Sequence, residues 1–305
     1  MRDFFKSEAG KREIFRLYDQ KLQELNIPYE EEDILTSFGR TSVIQTGDTA
    51  HPPLVVIHGS NGCAPVALEA YPTLAQHYRV FAIDVLAQPN KSEGERLSMK
   101  DDSYGRWMNE VIDGLGLNEV TLLGFSFGGL IILKTLINDE RRIKAAFLAS
   151  PAYIVNGNPL KALLRIFLPM KRYMRTKNRK LVVKVVDELF TDRDEFAVQY
   201  LSQVFLHFEM DFTPVPVITK AEAKGITTPI TLLAAKQDLL FPGGKMIRRA
   251  RRIFPALREA ILLSDSRHVQ NREGNRRMEE LVRQGKEELT KAARTPSQRI
   301  NLHFG

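Results

Sequence analysis

The feature that most constrains this chain is a set of short segments that are apolar without a break. Pro53-Leu54-Val55-Val56-Ile57, residues 78–85, Val120-Thr121-Leu122-Leu123 and residues 143–150 show no alternation of apolar and polar side chains. A strand with one wet face alternates, whereas a strand covered on both faces need not, so these runs predict the inner strands of a parallel sheet. Parallel neighbours need a crossover, and the intervals supply candidate helices over 65–77, over 103–115 with Trp107, Val111, Ile112 and Leu115, and over 130–138. The rhythm resumes with Pro229-Ile230-Thr231-Leu232-Leu233-Ala234-Ala235. A helix over 244–253, a strand over 259–263 and a charged helix over 272–293 follow.

Two segments stand outside that rhythm. Residues 11–25 place Ile14, Leu17, Leu22 and Leu25 on one helical face, and two β-prone runs, 34–38 and 41–46, flank Gly39-Arg40 as a hairpin. Between 151 and 223 no buried strand is expected. Pro159, Pro169, Pro214 and Pro216 punctuate what reads as several helices inserted into the sheet. The pattern therefore predicts an α/β chain with a mostly parallel, doubly wound sheet and an inserted helical cap. The expected division is 1–151 for the first part of the core, 152–223 for the cap and 224–305 for the rest of the core, ending in a polar tail over 294–305.

Composition excludes several classes. With 305 residues, 43% hydrophobic and 27% charged, the chain has the make-up of a globular protein with a sizeable core. A single cysteine, Cys63, allows neither an internal disulfide nor a thiolate zinc site, so a reducing, cytoplasmic setting is expected. The first residues mix both charge signs and lack the apolar core of a secretory signal. The most apolar stretch, 120–133, is too short to span a bilayer. A net charge of +7 arises in part from nine Lys and Arg with no acid over 161–184 and five more over 245–252. Neither run is interleaved with aromatic stacking residues, so no nucleic-acid partner is expected. They read as solvated faces, with attraction of anionic substrates or an acidic membrane surface as the alternative.

The chemistry is concentrated in Gly124-Phe125-Ser126-Phe127-Gly128. This G-x-S-x-G pentapeptide needs glycines because a serine held on a tight strand-to-helix turn leaves no room for neighbouring β-carbons. Here it sits between a buried β run and an apolar helix, where the helix N-terminus favours developing negative charge at Ser126. Ser126 is thus the candidate nucleophile. The chain resembles the α/β-hydrolase fold family, in its serine hydrolase branch of bacterial carboxylesterase-like members, from about residue 33 to residue 283. The resemblance implies an oxyanion hole from the backbone N–H groups of Ser60, after the strand ending in His58-Gly59, and of Phe127. It implies an acid at Asp238, after the strand that follows the cap, and a base at His268, after the last strand. Asp265 competes for the acid's place but reads as a turn residue, and His58 as a brace for its loop.

The implied reaction is acyl transfer through an acyl-enzyme on Ser126, needing no metal and no organic cofactor, with a small-molecule ester as substrate. A lactone or carbon–carbon bond hydrolase could use the same three residues. A ligand-binding or signalling protein could be built on the same fold with little turnover. Apolar cap residues (Phe167, Leu168, Met170, Phe190, Phe196, Phe205, Phe208 and Met210) are candidates to roof the site, with Phe205 and Phe208 singled out for substrate contact. Three departures from the commoner family pattern stand out. Residues 84–92 lack the glycines of the usual turn, Arg267 occupies the place of a common glycine before His268, and Ser60-Asn61-Gly62-Cys63 replaces a glycine-rich loop. A long cation facing His268 would lower its basicity unless it points away.

Overall fold

The computed structural model describes residues 3–294, and side chains as far as residue 287; the polar tail expected beyond the last helix lies outside that range. Among the described residues nine strands form one sheet: β1 (Glu30–Thr36), β2 (Gly39–Thr46), β3 (Pro53–Ile57), β4 (Arg79–Ile83), β5 (Glu93–Gly94), β6 (Val120–Phe125), β7 (Ile143–Ala149), β8 (Ile230–Ala235) and β9 (Leu257–Leu263). Their spatial order is β1-β2-β4-β3-β6-β7-β8-β9, with β5 paired to β2. From β4 to β9 every pairing is parallel, while β1, β2 and β5 make an antiparallel margin.

The unbroken apolar runs are explained by burial on two faces. Val55 and Ile57 of β3 point into one core, shared with helices α3 (Ser103–Gly114) and α4 (Phe127–Asn138), and Leu54 and Val56 point into the other. That second core is covered by α1 (Glu8–Glu24), α2 (Ala64–Ala70) and the final helix. β4 divides in the same way, Phe81 and Ile83 against Val80 and Ala82, because successive side chains leave a strand on opposite sides. α4 is apolar all round its first turns, and Leu130, Ile131, Ile132 and Leu133 are all fully buried, as a helix wedged into the core requires.

Between β7 and β8 the chain leaves the sheet through α5 (Pro159–Ala162), a π-helical turn (Leu163–Phe167), α6 (Leu168–Thr176), α7 (Arg179–Leu189), α8 (Glu195–His207) and α9 (Lys220–Gly225). α10 (Gly243–Ile253) and α11 (Arg272–Arg294) follow β8 and β9.

Several boundaries depart from the sequence reading, among them the start of β2, which takes in Gly39-Arg40, and the start of β9 at Leu257; three have a clear cause. β1 begins at Glu30, earlier than the apolar residues suggest, because an outermost strand can leave Glu30, Glu31, Glu32 and Asp33 in water. The crossover expected over 65–77 is split: α2 stops before Pro72, which has no N–H to continue the ladder, and a single 3-10 turn (Leu74–Gln76) follows. α4 begins at Phe127, directly after Ser126, rather than at residue 130.

Candidate active site

Ser126 joins β6 to α4 with φ 52° and ψ −111°, a conformation that crowds an ordinary β-carbon and so marks stored strain. The turn is pinned by its own backbone, for the Ser126 N–H donates to the Ala149 carbonyl (2.9 Å) and the Ser126 carbonyl accepts from the Ala152 N–H (2.9 Å). Both flanking glycines are required by close approach. A β-carbon on Gly128 would come within 2.3 Å of the Ile57 carbonyl oxygen, and one on Gly124 within 2.6 Å of Gly128.

β3 lies beside β6 in parallel register, Ile57 opposite Gly124, so the loop after β3 rises next to the elbow. Gly59 passes so close that an added β-carbon would stand 3.2 Å from Ser126 Cβ. Ser60 follows on the exposed side, and its N–H donates to no group among the described residues. The next N–H, that of Asn61, is already given to Gln88 Oε1 (2.7 Å). Phe127 opens α4, so its N–H precedes the intrahelical ladder and is available beside Ser126.

Asp238 lies three residues beyond β8 and His268 five beyond β9, on loops tied together by bonds from the Lys236 N–H to the Leu263 carbonyl (2.9 Å) and from the Gln237 N–H to the Ser266 carbonyl (3.0 Å). His268 Nε2 stands 2.9 Å from Ser126 Oγ, and its Nδ1 2.7 Å from Asp238 Oδ2. The other carboxylate oxygen, Oδ1, accepts the N–H groups of Leu240 (2.7 Å) and Phe241 (2.9 Å), which fixes the plane of the acid. The imidazole is flanked by the rings of Phe125 and Phe241, at centroid distances of 5.1 and 5.5 Å. All three side chains are buried. Asp265 is exposed and accepts only from its neighbour Ser264 Oγ (2.9 Å), well away from this line.

The departures flagged in the sequence have structural answers. The Arg267 guanidinium turns away from His268 and donates to the Asp187 carbonyl on α7. The glycine-free turn is held by side chains instead. Asp84 accepts the Ala64 N–H (2.7 Å), Ser92 Oγ donates to the Asp84 carbonyl (2.7 Å), and Asn90 Nδ2 donates to the Val85 carbonyl (3.0 Å). Ala87 takes the left-handed φ of 53° that a glycine would adopt without strain. His58 closes this network from the other side: Nδ1 donates to its neighbour's Gly59 carbonyl (2.7 Å), and Nε2 accepts the Val85 N–H (3.1 Å). Burial drives the His58 pKa down to about 4, so the ring is neutral and acts as a brace. Burial likewise pushes the Cys63 thiol up to about 12, an environment in which the sulfur is a packing group rather than a nucleophile.

Above the elbow is a cavity of about 570 Å³, walled on the sheet side by Phe125, Leu240 and Phe241 and on the other by the helices between β7 and β8. Six of the eight apolar candidates line it: Phe167, Met170, Phe190, Phe196, Phe205 and Met210. Phe208 does not. Its ring packs instead on Phe5 (5.1 Å) and Phe4 (6.3 Å) of the N-terminal segment, a long-range contact that no local pattern announces. Leu168 faces solvent. Tyr200 of α8 was not singled out by its pattern, yet it lines the cavity and donates its hydroxyl to the Pro89 carbonyl (2.5 Å). Among the described residues no cluster of His, Cys, Asp and Glu could hold a metal ion.

Residues 52–173 match the sequence model of the α/β hydrolase fold. The chain has the α/β-hydrolase fold. Its similarity is to carboxylesterase-like members. It is 26% identical over 282 residues to the uncharacterized carboxylesterase nap of Bacillus subtilis (strain 168), an alignment covering 86% of this chain and 88% of that protein. Carboxylesterase YbfK of the same organism is 33% identical over 148 residues, 48% of this chain and 49% of that one. The crystal structure of naproxen esterase from Bacillus subtilis superposes with a TM-score of 0.79 at 23% identity, covering 92% of this chain and 99% of that chain. That likeness extends the shared α/β-hydrolase fold across the segment between β7 and β8.

Proposed function

We propose that the protein is a serine hydrolase that cleaves small carboxylic esters through an acyl-enzyme on Ser126. The observation that carries this reading is the continuous hydrogen-bonded line from Ser126 Oγ through His268 to Asp238. His268 Nε2 takes the hydroxyl proton as Oγ attacks the ester carbonyl carbon, and Asp238 holds the tautomer with the proton on Nδ1 and stabilises the imidazolium. The carbonyl oxygen becomes an oxyanion, received by the N–H groups of Ser60 and Phe127. Collapse of the tetrahedral intermediate breaks the bond to the leaving alcohol, which takes its proton from His268. Water then gives a proton to His268 and attacks the acyl carbon; the bond from that carbon to Ser126 Oγ breaks, Oγ takes the proton back from His268, and the acid leaves. Donors fixed in advance where charge develops contribute about 3 kcal/mol each to barrier lowering, so the loop at Ser60 is a large contribution in its own right.

In this reading 152–223 is the cap, joined at both ends to the core of 1–151 and 224–305, and its inner face selects the substrate. A cavity of this size suits a small ester, and its aromatic lining favours an apolar acyl or alcohol group. We place the enzyme in the cytoplasm, in keeping with its single buried cysteine.

A fluorophosphonate probe tests the assembled site, because an unactivated serine is a poor nucleophile. Stoichiometric labelling of Ser126, blocked in His268→Ala, and multiple turnover of short-chain aryl esters are the expected results. A folded protein that neither labels nor hydrolyses such esters would replace the hydrolase with a binding protein. Labelling without turnover would mean that deacylation fails. The cap provides a separate check. Phe205→Ala should change the ratio of short- to medium-chain ester turnover several-fold, whereas Phe208→Ala should leave that ratio unchanged and lower stability by about 3 kcal/mol. Equal effects of the two on chain-length preference would put the specificity wall elsewhere.

A further inference from the structure

The run from α5 to α6 has two unlike faces. Ala162, Ile166 and Met170 point inward and line the cavity, while Leu160, Leu164 and Leu168 point outward into water. Both series advance by four residues, slightly more than an α-helical turn, and the π-helical winding of Leu163–Phe167 keeps each in line. Nine large apolar side chains are exposed among the described residues, and four of them fall within 160–168: Leu160 at 60%, Leu163 at 49%, Leu164 at 55% and Leu168 at 46%. Phe212, 52% exposed, is a fifth; its ring meets Phe167 at 6.0 Å on the rim of the cavity. Scattered exposed leucines need no explanation, but a contiguous group at the mouth of a site does.

The charge on residues 160–175 has one sign, with Glu188, bonded to Arg165 (3.2 Å), and Asp211, next to Phe212, as the acids close by. Lys161, Lys171, Arg172 and Arg175 are exposed beside or just beyond the leucines, and none is paired with a described acid. An apolar stripe flanked by unpaired cations matches a surface that is apolar inside and anionic outside, which is the description of a bilayer with anionic headgroups.

We propose that the outer face of residues 160–175 docks the protein on an anionic lipid surface, so that the cavity beneath draws esters of apolar acids or alcohols from that surface. The docking stands on the cap's outer face alone; the identity of the reaction rests on the function proposed above. The cations bring the protein to the surface, and the leucines and Phe212 enter the headgroup region. A substrate dissolved in the lipid then meets the cavity at the rim formed by Phe167 and Phe212, without first passing through water.

The test uses the full chain and vesicles of phosphatidylcholine with or without phosphatidylglycerol, read by co-sedimentation. The wild type should bind the anionic vesicles about tenfold or more tightly than the neutral ones, with the difference falling as salt rises. Leu163→Asp with Leu164→Asp, and separately Lys171→Glu with Arg172→Glu, should each lose that binding about tenfold or more while hydrolysing a soluble short-chain aryl ester at the wild-type rate. Ser126→Ala should bind vesicles as the wild type does. Absence of binding to anionic vesicles, or binding as tight as the wild type's by either double variant, overturns the docking and leaves the hydrolase reading intact. Binding with no turnover in any assay overturns the hydrolase reading and leaves the docking intact. A wild type that self-associates through this face and ignores vesicles, becoming monomeric in the leucine double variant, overturns the proposal in favour of a second copy of the chain.

Discussion

Ser126→Ala is expected to remove essentially all ester turnover while leaving the fold in place. The substitution deletes one oxygen from a buried side chain whose backbone is held independently by the bonds to Ala149 and Ala152. In a comparable serine protease, loss of the nucleophile costs about 10⁶-fold in kcat, and what survives comes from the oxyanion hole and binding. Rates of aryl ester hydrolysis, with circular dichroism to verify folding, check the result. Retention of more than about a tenth of the activity would show another nucleophile at work, since no surviving group in a site so organised would support that rate.

The second large effect concerns the carboxylate. Asp238→Asn should depress turnover by about 10⁴-fold, as loss of the orienting acid does in a related triad, because an amide at this place favours the wrong imidazole tautomer. The Leu240 and Phe241 N–H groups that bond Oδ1 can be satisfied by the asparagine carbonyl oxygen, which turns the amide nitrogen towards His268 Nδ1. The tautomer is thereby set against proton transfer from Ser126. Asp265→Asn, on an exposed side chain bonded only to Ser264, should stay within twofold of wild type. The reverse ranking would move the acid to Asp265.

How much of this arrangement could be read from the chain depends on the range of the interaction concerned. The inner strands were legible because burial on both faces leaves a local mark, visible in Val55 and Val56 alike. The strained turn at Ser126 was partly legible because Gly124 is demanded by atoms four residues away at Gly128, whereas Gly128 is demanded by Ile57 on the neighbouring strand. The acidic start of β1 was missed because its residues are judged by their own polarity, and only the sheet's edge makes that polarity tolerable. Phe205 and Phe208 look equivalent in sequence, yet one lines the cavity and the other is buried against Phe4 and Phe5, some two hundred residues earlier. The same is true of Gln88, which takes up the Asn61 N–H, and of Tyr200, which reaches Pro89. The direction of Arg267 also escaped local reading, since its acceptor is a backbone carbonyl on a different helix.

The position of Phe208 bears on how the site is entered. The N-terminal segment runs antiparallel to the end of α8, with the Lys6 N–H bonded to the His207 carbonyl (2.8 Å) and the Glu209 N–H bonded to the Phe4 carbonyl (2.9 Å). On another side Phe190 pairs with Val269, and on a third Tyr200 grips Pro89. A roof bolted at three separate places does not swing like a door on two hinges. It works as a fixed canopy, and Gly157, whose N–H donates to the Leu240 carbonyl (2.7 Å), ties its edge to the loop of Asp238 as well, so entry does not depend on the roof swinging aside.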